Sequence, residues 1–383
     1  MALHFSADEF SLRRGRVMAR LQRLGMAGLL VFRQESMYYL TGYDTAGFVF
    51  FQCLFVGADG ALILLTRLPD LNQARRTSVI EDIRVWTDRD QADPLQDLKD
   101  VLDEVGCRGE TLGVELDAWG LTGLWHQRLT TSLSGFCQLT DASDLVSKLR
   151  AVKSPAEIAY VREAAMLADR ALAVANELAV PGAFEGDILA AMQSLYFKSD
   201  GDHPAMEFII GTGRDALLCR YFSGRGHLGT DDQMTLEFAG SYRHYHAALM
   251  RTILTGTVSD YQRSMYDACR EALIACEETL TPGIDFGAVF DVHAQIMDGA
   301  GFKDFRLNAC GYGLGASFPP SWVEWPMIHT ANPVLVEPGM TIFLDMFLMD
   351  AQRSLTMSLS ETVLVTQTGT ERLSSASLEL VIN

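Results

Sequence analysis

The residue with the clearest chemical potential is a glutamate inside an apolar run. Glu237 lies in Met234-Thr235-Leu236-Glu237-Phe238-Ala239, a pattern that predicts a strand with at least one buried face. A carboxylate in such a place must be paired, or its pKa must rise, because burial disfavours the charged form. Glu237 is therefore a candidate nucleophile or general base. The alternative is an ordinary strand glutamate that faces solvent or pairs with an arginine.

Histidine and tryptophan side chains supply other groups that could do chemistry. In the alternation His244-Tyr245-His246, a strand would place the two imidazoles on the same face. An imidazole that faces a pocket can move a proton near neutral pH; the alternative is a histidine held in a structural hydrogen bond. Trp322 and Trp325 could line a small cationic ring with their π faces, or could serve only in packing.

Composition and charge restrict the class of protein. The chain has 383 residues, enough for two domains, with 48% hydrophobic residues and a net charge of -18. This charge disfavours nucleic acid and membrane partners, and no apolar run reaches the roughly 20 residues of a spanning helix. Seven cysteines without regular spacing indicate reduced thiols, and the acidic start lacks a signal-peptide pattern. A cytoplasmic location is therefore expected.

The elements that must position these residues fall into two blocks. In residues 1–150 helices and strands alternate, with strands predicted at 28–32, 48–57, 62–66 and 112–115. The second block opens with a long helix at 155–179, which Ser154 can cap. Its strands are predicted at 208–211, 234–240, 242–256, 309–313, 340–347 and 356–366. With a further helical pair at 261–280 and 286–299, this order predicts a curved sheet covered by helices.

Several motifs resemble those of the creatinase and aminopeptidase P family and occur in family order. They are residues 148–158, the strand pair at 236–252, Gly311-Tyr312-Gly313-Leu314-Gly315, residues 336–340 and residues 361–366. The resemblance implies an α+β fold with two domains. Residues 1–150 would form the N-terminal α/β domain of the creatinase type, which is ribonuclease H-like, and residues 151–383 the pita-bread catalytic domain.

The metal-ligand positions of this family are largely lost. Projected onto this chain, they fall on Glu237, Ala248, Tyr312, Asp345 and, for the last, Ser360 or the adjacent Glu361. Alanine offers no ligand atom, and the phenol of a tyrosine is protonated at neutral pH. A dinuclear site needs several carboxylates and a neutral imidazole. We therefore expect no catalytic metal and no other cofactor.

The branch of the family that works without metal, which includes ectoine hydrolase and creatinase, resembles this chain more. The resemblance implies that Glu237 attacks or activates water, that Glu361 and Asp345 hold a cationic group, and that His246 moves the proton. The three carboxylates would form an acidic pocket, which favours an amidine or guanidino substrate. For Glu361 the alternative is a salt bridge at a strand end.

The same resemblance implies further substrate-binding residues, namely Tyr312, Arg220, Trp322, His329 and Phe48. Arg220 stands where creatinase has its catalytic histidine; an arginine cannot be a base, but it can bind a substrate carboxylate or form a surface ion pair. His329 replaces an arginine that binds creatine, and the arginine expected near Phe50 is missing, which argues against creatine. Phe48 lies in a segment that resembles the one covering the partner's active site, so a homodimer is expected.

The sequence thus predicts a metal-independent hydrolase that acts on a C–N bond in a small amidine or guanidino compound. Ectoine or hydroxyectoine is the expected kind of substrate. Two alternatives stay open at this point. One is an Xaa-Pro dipeptidase-like metallopeptidase with an altered metal site, and the other is a catalytically inactive homologue that binds a small molecule.

Overall fold

The computed structural model describes residues 3–222 and 224–383. Met1 and Ala2, which belong to the acidic start considered above, and Ser223 lie outside the described residues. The chain divides into two compact units, Met1–Arg150 and Ala151–Asn383. Among the described residues, no helix combines the length and the apolar character that a membrane crossing requires.

The first unit is built on a six-stranded sheet with the order β4-β3-β2-β1-β5-β6. Its strands are β1 (Gly28–Val31), β2 (Cys53–Gly57), β3 (Leu62–Arg67), β4 (Asp82–Trp86), β5 (Thr111–Val114) and β6 (Gln138–Asp141). Its helices are α1 (Ala7–Leu24), α2 (Gln34–Thr41), α3 (Leu71–Thr77), α4 (Pro94–Glu104) and α5 (Gly123–Ser132), with α6 (Asp144–Ala151) at its end. The strands β1 to β3 are antiparallel neighbours, whereas β4, β5 and β6 join in parallel.

The second unit is a larger antiparallel sheet with the order β11-β10-β12-β14-β9-β8-β7. Its strands are β7 (Ile209–Thr212), β8 (Asp232–Tyr242), β9 (Tyr245–Thr255), β10 (Ala309–Gly313), β11 (Glu324–His329), β12 (Thr341–Leu344), β13 (Phe347–Asp350), β14 (Leu355–Val365) and β15 (Thr370–Arg372). Two helical pairs accompany it, α7 (Pro155–Leu178) with α8 (Glu185–Lys198), and α9 (Asp260–Thr279) with α10 (Phe286–Gly299). Both β13 and β15 pair with β14.

The helix α7 is fixed tightly against the strand that carries Glu237. Ser154 and Glu157 form a capping box at its start, in which each side chain binds the other residue's backbone N–H. Further along, a Cβ atom at Gly240 would lie 1.9 Å from the carbonyl oxygen of Ala164. Only glycine permits this close approach of the helix to β8.

The hairpin between β8 and β9 corrects one expectation. The strand predicted at 242–256 begins only at Tyr245, because Arg243 and His244 form a two-residue turn with φ angles of 52° and 63°. Positive φ at both central positions is typical of the turn that joins twisted antiparallel strands. His244 therefore does not share a strand face with His246, and its ring stacks on Phe318 with 4.2 Å between centroids.

Candidate active site

Three residues opposed across neighbouring strands form the floor of the candidate site. Glu237 on β8 lies opposite Met250 on β9, and Met250 lies opposite Ser360 on β14. Directly opposed residues of antiparallel strands point to the same face. Ala248, two residues before Met250, shares that face. The sheet thus presents a carboxylate, a thioether, a hydroxyl and an alanine methyl side by side.

A cavity of about 210 Å³ opens on this face. Its polar lining consists of Glu237, Asp345, Arg220, Tyr312, Cys219 and Ser321. Its apolar lining consists of Met206, Met250, Leu307, Val323 and Phe347. The volume is below the roughly 300–1,000 Å³ of pockets that hold drug-sized ligands. The cavity therefore suits a small, partly polar ligand.

The carboxylate of Asp345 is oriented by Ser360. Asp345 follows directly after β12, and its Oδ1 accepts a hydrogen bond from Ser360 Oγ at 2.9 Å. The same hydroxyl oxygen accepts the backbone N–H of Met346 at 3.1 Å. The N–H of Met346 occupies a lone pair of Ser360 Oγ, so the hydroxyl proton of Ser360 is free to point to the Asp345 carboxylate.

Glu237 is held by a tyrosine. Tyr312 Oη on β10 donates to Glu237 Oε1 at 3.2 Å, and Trp322 Nε1 donates to Tyr312 Oη at 3.1 Å. Burial raises the pKa of Tyr312 well above its usual value, and the neighbouring carboxyl groups act in the same direction. Tyr312 is therefore a protonated donor at neutral pH.

Burial raises the pKa of both carboxyl groups in the cavity. Burial, followed by the charge of Asp345, raises the pKa of Glu237, while Arg220 and the Tyr312 hydroxyl oppose the rise. Burial also raises the pKa of Asp345, against the hydrogen bond from Ser360 and the charge of Arg220. Burial therefore favours the protonated form of both carboxyl groups in the free cavity, Glu237 and Asp345.

Arg220 is the cation of the cavity lining. Its side chain is largely exposed, and its Nη1 donates to the carbonyl oxygen of Cys219 at 2.7 Å. The remaining guanidinium N–H groups can receive an anionic group of a ligand. The structure thus brings together four of the predicted site residues, namely Glu237, Asp345, Tyr312 and Arg220.

Glu361 is not brought into this group, which corrects its predicted place in an acidic pocket. It follows Ser360 on β14 and so points to the opposite face of the sheet. There it is fully buried, with Oε1 at 2.7 Å from Arg251 Nη2 and Oε2 at 2.8 Å from Arg372 Nε. Burial raises the pKa of Glu361 to about 7, and the two arginines oppose that rise. The surroundings of Glu361 match the alternative given above for this residue, a salt bridge, here with Arg251 and Arg372.

His246 is likewise placed outside the cavity lining. It is fully buried, its Nε2 accepts the backbone N–H of Ala205 at 2.9 Å, and its Nδ1 lies 3.4 Å from the carbonyl oxygen of Gly315. Burial lowers the pKa of His246 to about 3. A neutral imidazole with both nitrogens engaged cannot move protons at neutral pH, so the geometry does not fit the predicted shuttle.

Three predicted substrate-binding residues also lie elsewhere. Trp322 is fully buried behind Tyr312, and its π face is not part of the cavity lining. His329 is exposed at the end of β11, where its Nδ1 lies 2.9 Å from the carbonyl oxygen of Thr330. Phe48 is half-buried in a short 3-10 helix of the first unit, Gly47–Val49.

The residues at the family's five ligand positions do not fit a dinuclear metal centre. The cross-strand register assigns the last position to Ser360, so the full set is Glu237, Ala248, Tyr312, Asp345 and Ser360. Only two of these are carboxylates, and the tyrosine hydroxyl is already engaged with Glu237 and Trp322. Within the described residues, no three His, Cys, Asp or Glu side chains cluster in a way that could hold a metal ion.

Several residues of the site were not foreseen. Met206, Cys219, Leu307 and Val323 lie in segments outside the helices and strands, where no periodicity marks a position. Ser360 is one of the two residues that the sequence offers for the last ligand position. The alternation of Ser358, Ser360 and Thr362 along β14 is a further signal for it, because polar residues at a spacing of two share one face.

The chain combines two domains that are found together in creatinases and prolidases. Residues 13–152 match the Creatinase/Prolidase N-terminal domain, and residues 159–367 match Metallopeptidase family M24. The chain belongs to metallopeptidase family M24, a family of hydrolases. The predicted resemblance and the predicted fold class, an N-terminal creatinase-type domain followed by a pita-bread domain, are confirmed.

The relatives to which the chain is similar are named for different activities. Ectoine hydrolase of Halomonas elongata is 27% identical over 407 residues, covering 100% of this chain and 99% of the relative. Xaa-Pro dipeptidase of Pyrococcus furiosus is 24% identical over 282 residues, covering 74% and 78%. The crystal structure of dipeptidase PepE from Mycobacterium ulcerans superposes with a TM-score of 0.87 at 22% identity, covering 99% of each chain, which shows the shared fold.

Proposed function

We propose that this protein is a metal-independent hydrolase of a C–N bond in a small amidine or guanidino compound, of the ectoine type. The observation that carries the proposal is the composition of the cavity. Two buried carboxyl groups, Glu237 and Asp345, share it with one arginine, while alanine, tyrosine and serine hold the remaining ligand positions. Acidic and basic groups in one small cavity match a ligand that bears both charges.

Charge complementarity orients such a ligand. Its amidinium or guanidinium group would lie between Glu237 and Asp345, and its carboxylate would bind Arg220. A cation beside the two carboxyl groups lowers the pKa of each, because it favours their charged forms. Binding would therefore expel the proton that Glu237 holds in the free cavity, and Glu237 would become a carboxylate only when substrate is present.

The ionised Glu237 then acts as the general base. It takes a proton from water as the water oxygen bonds to the amidinium carbon, which gives a tetrahedral intermediate. The C–N bond breaks, and the departing nitrogen takes that proton back from Glu237. The hydroxyl proton of the intermediate passes to the amine as the C=O bond forms. Amidinium and water thus give an amide and a protonated amine, with Glu237 again a carboxylate and Asp345 balancing the positive charge throughout. No step in this sequence requires a metal-bound water.

The full-length similarity to an ectoine hydrolase supports the proposal. The similarity to an Xaa-Pro dipeptidase supports a second candidate, peptide hydrolysis at a rebuilt metal site. That candidate requires metal binding at positions of which only Glu237 and Asp345 are carboxylates. The two candidates therefore differ in both substrate and metal requirement.

The deciding experiment follows proton NMR spectra of the EDTA-treated protein with ectoine, hydroxyectoine, creatine and one Xaa-Pro dipeptide. Loss of the ectoine or hydroxyectoine resonances without added metal supports the proposal. Cleavage of the dipeptide only after manganese is added supports the peptidase. If none of the four is consumed under either condition, the proposed activity is wrong, and saturable binding of ectoine would then indicate a binding protein.

A further inference from the structure

We propose that Trp322 is a positioning residue that acts on Glu237 through the hydroxyl group of Tyr312. The inference rests on the proposed function, in which Glu237 is the reactive carboxylate. It assigns a role in the reaction to a residue that does not line the cavity.

The direction of the hydrogen bonds follows from the chemistry of the three groups. The indole N–H can only donate, so at 3.1 Å from Tyr312 Oη it must occupy a lone pair of that oxygen. The single hydroxyl proton of Tyr312 then points to its other partner, Glu237 Oε1, at 3.2 Å. Trp322 thereby sets the rotamer of a proton that would otherwise turn freely.

Burial limits competition from water for the hydrogen bonds among Trp322, Tyr312 and Glu237. Trp322 is 0%, Glu237 5% and Tyr312 8% exposed, so water has little access to replace any of the three partners. Consecutive hydrogen bonds in a medium of low dielectric constant also strengthen one another. The Tyr312 ring is further fixed by Phe343, with 5.1 Å between ring centroids.

This arrangement gives the two carboxylate oxygens of Glu237 different roles. Oε1 is occupied by the tyrosine proton, and within residues 3–222 and 224–383 no hydrogen-bond donor reaches Oε2. Because Glu237 lines the cavity, Oε2 is the oxygen available to a water molecule or a substrate. Loss of the Trp322 N–H would let the tyrosine hydroxyl turn away and leave the carboxylate without a fixed orientation.

The first test leaves Trp322 in place and needs no substrate. Protein labelled with 15N-tryptophan gives five indole N–H resonances, and the one that persists when Trp86, Trp119, Trp125 and Trp325 are replaced by phenylalanine one at a time belongs to Trp322. We expect this resonance to move in Tyr312→Phe and, by a smaller amount, in Glu237→Gln. If it responds to neither change, the proposal is overturned, whether or not Trp322→Phe folds.

The second test reads Glu237 itself. In protein labelled with 13C-glutamate, the side-chain carboxyl resonance that vanishes in Glu237→Gln should move in Trp322→Phe and move further in Tyr312→Phe. The matched control is Trp325→Phe, which removes an indole that packs in a different core cluster. A folded Trp322→Phe protein with an unmoved Glu237 resonance would contradict the proposal.

The third test separates positioning from packing by kinetics, with ectoine as the probe. Trp322→Phe should lower kcat about fivefold and Tyr312→Phe about tenfold or more, with KM little changed, because the ligand does not touch Trp322. If Glu237→Gln retained turnover while the resonances moved as expected, the proposed function would be refuted, but the hydrogen-bond chain from Trp322 to Glu237 would stand. Unmoved resonances with turnover lost in Glu237→Gln would refute the inference alone.

Discussion

Ser360 donates its hydroxyl proton to Asp345 at 2.9 Å, from the position onto which the sequence resemblance projects the last metal ligand of the family. A serine here cannot replace a carboxylate as a metal ligand, but it can orient the carboxylate that remains. The bond also favours the ionised form of Asp345, which opposes the effect of burial on its pKa. Ser360 thus supports a negative charge on Asp345 that can bind a cation.

Replacement of Ser360 by alanine should weaken this support. The pKa of Asp345 should rise further, because the hydrogen bond that favours its charged form is lost. The low-pH limb of kcat/KM should therefore move to higher pH, with about tenfold lower kcat/KM on that limb. The matched control is Ser374→Ala, since Ser374 donates to Asp169 in a similar bond at 2.5 Å. An unchanged pH profile in Ser360→Ala would contradict this role.

Glu237 should cost the folded protein stability at alkaline pH. Burial raises the pKa of Glu237 above its ordinary value of about 4.5, so between that value and the raised pKa the folded state binds more protons than the unfolded state. Stability from this group is then present at acidic pH and is lost as pH rises through that window. Glu237→Gln should therefore melt higher than wild type, by a margin that grows with pH. Thermal unfolding from pH 5 to pH 9 measures this, and a constant margin would contradict the assignment.

Glu361 should prove structural. Removing its charge by Glu361→Gln leaves Arg251, which is 4% exposed, without its buried partner. Loss of one partner of a buried ion pair costs about 3–5 kcal/mol, so the melting temperature should fall clearly. Turnover per folded molecule should stay close to wild type. Should the folded variant lose turnover as completely as Glu237→Gln, Glu361 would belong to the catalytic group after all.

Arg220 should govern affinity for ligands that carry a carboxylate. Arg220→Gln should raise KM for ectoine roughly tenfold or more with a smaller change in kcat, because the arginine binds substrate away from the reacting carbon. Arg214→Gln, in the 3-10 helix Gly213–Leu217 that precedes Arg220, is the matched control. Equal KM values in the two variants would exclude Arg220 from the binding site.

The fold and two of the carboxyl groups could be predicted from the sequence because they rest on local patterns. The apolar run around Glu237 predicts a strand with a buried face, which β8 confirms, and the family motifs indicate the order of elements. The register across β8, β9 and β14 could not be predicted from such local patterns. Whether Ser360 or Glu361 faces the cavity depends on a shift of one residue, which reverses the face of every side chain.

The remaining differences arise where tertiary contacts outweigh local preference. The strand predicted at 48–57 begins only at Cys53, after the 3-10 helix Gly47–Val49, and the structure has a short helix, Gln34–Thr41, that the sequence pattern does not indicate. The surroundings of His246 cannot be predicted from sequence, because its partners, Ala205 and Gly315, are 41 and 69 residues away in sequence. No local pattern reveals that such a histidine is already bound on both nitrogens.

The most direct measurement compares wild type and Glu237→Gln after EDTA treatment, with metal content determined on the same samples. The substrate is whichever C–N compound of the NMR panel the wild type consumes. We expect wild-type turnover without bound metal, no gain on addition of manganese, and loss of turnover in a folded Glu237→Gln protein. Turnover that depends on manganese, or full activity in Glu237→Gln, would contradict the account.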